Sequence, residues 1–181
     1  MPQEIERRWL LRRAPDLSDA LLASARASEL EQTYLRAADG EPGSARVRAS
    51  RRPDGTTTYR WTRKSGAGLV REETERDLDA AEYRRLRDDE ADPDRVTVVK
   101  KRRAVEWQGR TWELDEVRSP VGCWLLEVEV ADEREAGDLG PLPPPCAAAD
   151  PLEVTDDPTW TNAEIARRGA APTPAPTGAD G

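Results

Sequence analysis

The chain has 181 residues, a net charge of −8, 36% apolar and 35% charged residues; the charged share is well above the usual ~25%. Six Trp and three Tyr argue for a folded chain, because disordered segments avoid aromatics. There is no histidine, which excludes a Ser-His-Asp triad, a Cys-His dyad and any His-ligated zinc or iron, and leaves acid–base work to carboxylates, Lys, Tyr or water.

Residues 3–11 alternate with period two and predict a strand. Residues 17–27 predict a helix with Leu17, Leu21 and Leu22 on one face and Asp16 or Ser18 as cap. Strands are expected at 33–38, 45–51 and 57–64, the last two separated by the Pro53-Asp54-Gly55 turn. A strand at 69–75 precedes a helix at 77–87 that offers Leu78, Ala81, Tyr83 and Leu86 for burial. Strands at 95–106, 110–118 and 123–130 follow, the first two joined at Gln108-Gly109. Pro141 to Pro145 reads as a rigid connector, and 161–168 as a short helix stopped by Gly169. Residues 1–168 form one expected domain, and 169–181 an expected disordered Pro/Ala-rich tail. About eight strands, several joined as hairpins, predict a mainly β, α+β fold: an eight-stranded antiparallel closed barrel with helices packed outside.

The strands alternate apolar residues with charge. Glu4, Glu6 and Arg8 share one face of the first strand, while Ile5 and Trp9 share the other. Arg46 and Arg48, Arg60 and Lys64, Glu73 and Glu75, Lys101 and Arg103, Glu113 and Asp115, and Glu127 and Glu129 repeat the pattern. Two readings of this face are open. One is the solvated side of an open sheet laced with ion pairs. The other is the wet lumen of a barrel. Exposed pairs contribute only about 0–1 kcal/mol each, so stability alone does not call for so many. A lumen with basic and acidic clusters suits a polyphosphate arriving with divalent cations: Arg and Lys for phosphate oxygens, carboxylates for Mg2+ or Mn2+.

These residues resemble the CYTH domain, or triphosphate tunnel metalloenzyme, family and its short bacterial inorganic triphosphatase-like members. Glu4-Ile5-Glu6-Arg7-Arg8 looks like the ExExK signature, with Arg8 in place of lysine. Arg46-Val47-Arg48, Lys64, Arg71 with Glu73 and Glu75, Lys101-Arg102-Arg103, Trp112-Glu113-Leu114-Asp115 and Glu127-Val128-Glu129 follow in the family's order. Glu153 to Pro158, then Trp160, Thr161 and Asn162, resemble the ending of the short members. The likeness spans about residues 2 to 168.

The resemblance implies an eight-stranded tunnel that binds a small anionic substrate and hydrolyses inorganic triphosphate with Mg2+ or Mn2+. Arg8, Arg46, Arg48, Lys64, Lys101 and Arg103 are the implied phosphate ligands. Glu4, Glu6, Glu127 and Glu129 are the implied metal ligands, with Glu4 and Glu6 as candidate catalytic groups. Glu73, Glu75, Glu113 and Asp115 are expected to hold a second metal or to order the basic residues. Tyr34 resembles a family tyrosine near the tunnel, although core packing is the plainer reading of it. Alternatives within the family are nucleoside or thiamine triphosphate hydrolysis and adenylate cyclisation. A non-catalytic polyphosphate- or nucleotide-binding module is the alternative of another class.

Other partners are not expected. The chain is acidic, so a nucleic-acid partner is disfavoured despite the basic run from Lys100 to Arg103. No apolar run reaches the ~18 residues of a membrane span, and no signal peptide is recognised. Cys123 and Cys146 read as two free thiols of a cytoplasmic protein.

Overall fold

The computed structural model describes residues 3–37, 44–65 and 69–170, apart from the side chains of residues 3, 4, 70 and 71. The expected tail beyond position 170, the Gly66-Ala67-Gly68 segment and residue 38 of the strand expected at 33–38 lie outside the described residues.

Alternation builds one large antiparallel sheet. Its strands are β1 (Gln3–Leu11), β2 (Arg26–Tyr34), β3 (Ser44–Arg51), β4 (Thr57–Ser65), β5 (Val70–Leu78), β6 (Val98–Trp107), β7 (Arg110–Ser119), β8 (Cys123–Val130) and β9 (Pro151–Glu153). The order is β5-β4-β3-β2-β6-β7-β8-β1-β9. The sheet curls far enough for β1 to pair also with β5, at Gln3–Glu72, Glu4–Arg71 and Ile5–Val70. Curling gives it an inner and an outer face, and period-two alternation assigns each residue to one of them.

The outer face is apolar where helices cover it. Ile5, Trp9 and Leu11 of β1, Val105 of β6, Trp112 and Leu114 of β7, and Leu126, Val128 and Val130 of β8 form one buried cluster. Leu22 of α1 (Ala20–Ala23), Ala136 of α3 (Glu133–Gly137) and Cys146 of α4 (Pro144–Ala147) pack on it. The Trp9 and Trp112 rings meet at 5.7 Å and 45°. Around the curve, α2 (Ala80–Asp89) lays Tyr83 and Leu86 over Val47, Tyr59 and Trp61. Its start is fixed by Asp79, whose carboxylate accepts from the Ala81 and Glu82 amides.

The inner face is apolar at one end only. Leu10, Tyr34, Val98, Val117 and Leu125 form a buried cluster there with Val154, Trp160, Ile165 and Ala166. These last residues come from the C-terminal segment and α5 (Asn162–Arg168), which therefore plugs that end. The Thr161 side chain caps α5, and Gly169 ends it at φ 65, a left-handed conformation that favours glycine. Alternation alone sends every apolar strand residue outward; a plug that needs apolar seats reverses the rule at this end.

Two further expectations are corrected. The helix predicted over residues 17–27 shrinks to α1, capped by Asp19. The strand predicted to begin at 33 begins at Arg26, because residues 26–34 find partners on both sides, in β3 and β6. Those two ladders satisfy backbone groups that a short isolated helix leaves open at its ends. The segments α3, α4 and β9 are too short to show a period in the sequence. Among the described residues no helix is long and apolar enough to cross a membrane.

The plug makes a stability prediction. Ile165 is 0% exposed, so Ile165→Ala is expected to lower unfolding free energy by about 2–5 kcal/mol. Urea denaturation followed by Trp fluorescence measures it; a loss below about 1 kcal/mol would mean that α5 is not seated as described.

Candidate functional site

The inner face beyond the plug carries the charges. Register fixes who meets whom. Glu6 stands opposite Glu129 and Arg8 opposite Glu127 across β1 and β8. Glu113 stands opposite Glu127 across β7 and β8, and Arg102 opposite Asp115 across β6 and β7. On the other side of the interior, Gln32 faces Arg48 and Tyr34 faces Arg46 across β2 and β3. Thr62 faces Glu75 and Lys64 faces Glu73 across β4 and β5.

The β6-β7-β8-β1 side is a buried ion-pair network. Asp115, 0% exposed, accepts from Lys100 Nζ and, at 2.7 Å, from both Nε and Nη2 of Arg102. Arg102 also pairs with Glu113 and, at 3.2 Å, with Glu127. Arg8 donates to Glu127 at 2.7 Å, to Glu6 at 2.5 Å and to the Trp160 carbonyl at 3.4 Å. Burial works against these charges, yet their neighbours win. Arg8, Lys100 and Arg102 hold Glu127 well below the ordinary carboxylate range, and Arg102 and Lys100 hold Asp115 below it. Asp115, Glu113 and Glu127 raise Arg102 well above the ordinary arginine value. Lys100 is lowered by burial and by Arg102.

The β3 side is different. Arg48 has no ion-pair or hydrogen-bond partner among the described residues. Burial, then the charges of Arg46 and Arg102, lower its pKa to about 10, against the pull of Glu75 and Glu113. Arg46 is also desolvated; Tyr34 and Glu73 restore its charge, but its Nε is buried without an acceptor. On β4, Lys64 pairs with Glu73 at 3.1 Å, and Glu75 accepts from Thr62 and Arg60, both at 2.9 Å. So β3 presents an excess of positive charge to the interior.

A cavity of about 510 Å³ lies toward the end away from the plug. Glu6, Glu113, Glu127 and Glu129 line it, with Arg110 and Glu135 at its border. Glu6/Glu129 and Glu113/Glu127 are like-charge cross-strand pairs, which are unfavourable unless a cation is shared; Arg102 is that cation for Glu113 and Glu127. All four offer carboxylate oxygen, the donor type that Mg2+ and Mn2+ prefer. The residues thus fit a hard divalent cation in the kind of donor they offer. Among the described residues no three acidic side chains already converge on one point, and Arg8 holds both Glu6 and Glu127.

Most of the candidate residues from the sequence meet on the inner face: Glu6, Arg8, Arg46, Arg48, Lys64, Glu73, Glu75, Glu113, Asp115, Glu127 and Glu129. Glu4 shares their parity on β1, but its side chain lies outside the described residues. Lys101 and Arg103 are corrections. They share the outer parity of Val105, which is buried among Trp112 and Leu114, and register sets Lys101 between Glu29 and Glu116 and Arg103 between Ala27 and Leu114. Lys100 and Arg102 take the inner places. Residues 100–103 are all basic, so charge alternation cannot choose a parity there; the apolar Val105 and Trp107 further along the strand carry the signal. Arg8, expected on phosphate, here bridges carboxylates instead. Cys123 and Cys146 are free thiols, pushed up to about 11 and about 12 by burial, so neither is a thiolate nucleophile at neutral pH.

The network makes stability pH-dependent. Asp115 and Glu127 have folded pKa values below their unfolded ones, so the unfolded chain binds more protons as pH falls. Their contribution is expected in full above the ordinary carboxylate range of ~4 and to be lost below it. Asp115→Asn is expected to remove about 3–5 kcal/mol at pH 7, because it leaves buried cations unpaired, and to flatten the acid limb of stability against pH. Lys101→Ala is expected to change stability by less than about 0.5 kcal/mol. Urea titrations between pH 3 and 8 test both; a large effect at Lys101 would reverse the parity assignment.

The fold has counterparts among solved structures. The structure is similar to the PH1819 protein of Pyrococcus horikoshii OT3, with a TM-score of 0.55 and 23% identity over 75% of this chain and 83% of that one. It is similar to the PH1012 protein of the same organism, with a TM-score of 0.51 and 19% identity over 75% and 84%. A "putative adenylate cyclase" of Bacillus halodurans gives a TM-score of 0.51 and 17% identity over 76% and 87%. No curated protein matches the chain. At these identities the likeness is one of fold. The family model of the CYTH domain matches residues 2–140, and the chain therefore belongs to the CYTH domain family.

Proposed function

We propose that this protein is a metal-dependent triphosphatase that cleaves inorganic triphosphate to pyrophosphate and phosphate, and that the curled sheet forms the tunnel that holds the substrate. The observation that carries the reading is Arg48: an interior arginine without an ion-pair partner among the described residues, its pKa lowered by burial and then by Arg46 and Arg102, suits an anion. A wall of glutamates stands on the β8–β1 side of the same interior. Membership in the CYTH domain family supports a substrate that carries a triphosphate group.

In this mechanism Arg46, Arg48, Lys64 and Arg102 hold the phosphoryl oxygens, with Lys100 adding positive field from beneath. Glu73 aims Lys64, and Asp115 aims Arg102 and Lys100, through the pairs already described, while Glu75 is held by Thr62 and Arg60. Glu6, Glu127 and Glu129, with Glu4 beside them on β1, would hold Mg2+ or Mn2+. Such an ion neutralises phosphate charge and polarises the attacking water. Arg8 positions Glu6 and Glu127, and Glu113 positions Arg102. Water attacks the terminal phosphorus in line, and the bond to the bridging oxygen breaks. Glu4 or Glu6 takes the water's proton. Charge spread over the transferring phosphoryl group is met by arginine donors fixed before the reaction.

The test is phosphate release from tripolyphosphate with Mg2+, with Mn2+ and with EDTA, beside ATP. Release is expected with metal only, faster than from ATP, and reduced about 100-fold or more in Glu6→Gln. Arg48→Met is expected to raise KM about 10- to 100-fold, the worth of one charge-assisted hydrogen bond. Cyclic AMP from ATP would instead favour the cyclase reading suggested by the Bacillus neighbour's name. Tight triphosphate binding with no release under any metal would establish a binding module.

A further inference from the structure

Next to the two β3 arginines sits a residue that neither the fold nor the proposed chemistry has used. Gln32 of β2 is 0% exposed. Both polar atoms of its side chain, Nε2 and Oε1, are buried without a hydrogen-bond partner. Its place is fixed from both sides. It pairs with Arg48 across β2 and β3 and with Val98 across β2 and β6. Val98 belongs to the inner apolar plug, so Gln32 points inward, at the boundary between plug and charge. Its neighbours of the same parity are Leu30 and Tyr34, both buried.

A buried amide with no partner is costly, and native folds rarely keep one without a reason. As pure structure the position is better served by an apolar side chain, since Leu30 and Val98 already are. The neighbouring cations are in a matching state. Arg48 has no acceptor among the described residues, and the Arg46 Nε has none. Donors without acceptors thus gather at one spot on the β2–β3 wall.

We propose that Gln32 is a phosphoryl-binding residue that completes a three-residue anion subsite with Arg46 and Arg48, an assignment that rests on the triphosphate reading above. A phosphoryl oxygen accepts the Nε2 hydrogen while the two arginines donate to the same group. The bound anion orders the Arg48 fork, whose remaining N–H groups then face Gln32 Oε1. A neutral amide at this point adds a directed donor without adding to the repulsion between Arg46 and Arg48. The subsite lies against the plug, so it holds the end of the substrate that enters deepest. No proton or bond is transferred by Gln32, and its role is in binding.

The test separates this role from a structural one. Tripolyphosphate binding is measured by calorimetry in EDTA and again with Mg2+, for the parent protein, Gln32→Met and Gln32→Glu. Urea stability is measured without ligand for the same three. The expected result is a loss of affinity of about tenfold or more in both variants, with stability unchanged or raised. Gln32→Met removes the unpaired amide, and Gln32→Glu gives Arg48 an internal partner that competes with the anion. Parent-like affinity in Gln32→Met would overturn the proposal and leave the triphosphate reading standing, the amide being met by solvent alone. Lower stability with unchanged affinity would make Gln32 structural. No binding of tripolyphosphate to the parent under either condition would overturn both readings together.

Discussion

A buried charge must be paired, and that constraint governs the interior of this protein. Moving an ion out of water costs several kcal/mol even after relaxation, and an excellent partner is needed to offset it. Asp115, Glu127, Lys100 and Arg8 are each no more than 5% exposed. They persist because strand register puts opposite charges beside one another: Arg102 by Asp115, Arg8 by Glu127. A slip of one residue would turn every one of these pairs to the wrong face. The apolar outer face enforces the same register independently, since Trp9, Trp112, Leu114, Leu126 and Val128 must meet the covering helices.

The pairing is uneven, and the proposed function rests on that unevenness. On the β6-β7-β8-β1 side, cations and carboxylates largely neutralise one another. On β3, Arg46 and Arg48 lie beside Tyr34 and Gln32, which bring no countercharge. A fold selected for stability alone has no use for a desolvated arginine without an acceptor. The plug sharpens the contrast. Trp160 and Ile165 seal one end of the interior with apolar contacts, while the glutamate-lined cavity lies toward the other. A ligand entering from the cavity side meets carboxylates at the β8–β1 wall and excess cation at β3.

Legibility varies by strand. In β1, β7 and β8, Ile5, Trp9, Trp112, Leu114, Leu126, Val128 and Val130 share one parity, and only Arg7 and Glu116 interrupt it beside the charges, so alternation assigns Glu6, Glu113, Asp115, Glu127 and Glu129 to the other face. In β6 the run from Lys100 to Arg103 carries equal charge on both parities, and the expectation that Lys101 and Arg103 point inward fails there. In β2 the signal is masked by Leu21 and Leu22 just upstream, which draw residues 17–27 into an expected helix. Gln32 is invisible for a different reason. An isolated glutamine in a strand is ordinary, and only its neighbours make it unusual. The plug residues are likewise unreadable, because Leu10, Val98, Val117 and Leu125 share parity with charged residues and look like breaks in the pattern.

The sequence by itself determined the chemistry available and the mode of folding. It has no histidine, a surplus of paired carboxylates and arginines, and strands of period two, and these follow from composition and local sterics alone. It also determined most of the inner face, because alternation is a local property of an extended chain. Only the tertiary structure decided which of the charges neutralise one another. That choice depends on register between strands far apart in sequence, such as Arg8 with Glu127 and Gln32 with Arg48. It is a property of pairs, and a single strand cannot encode its partner's position.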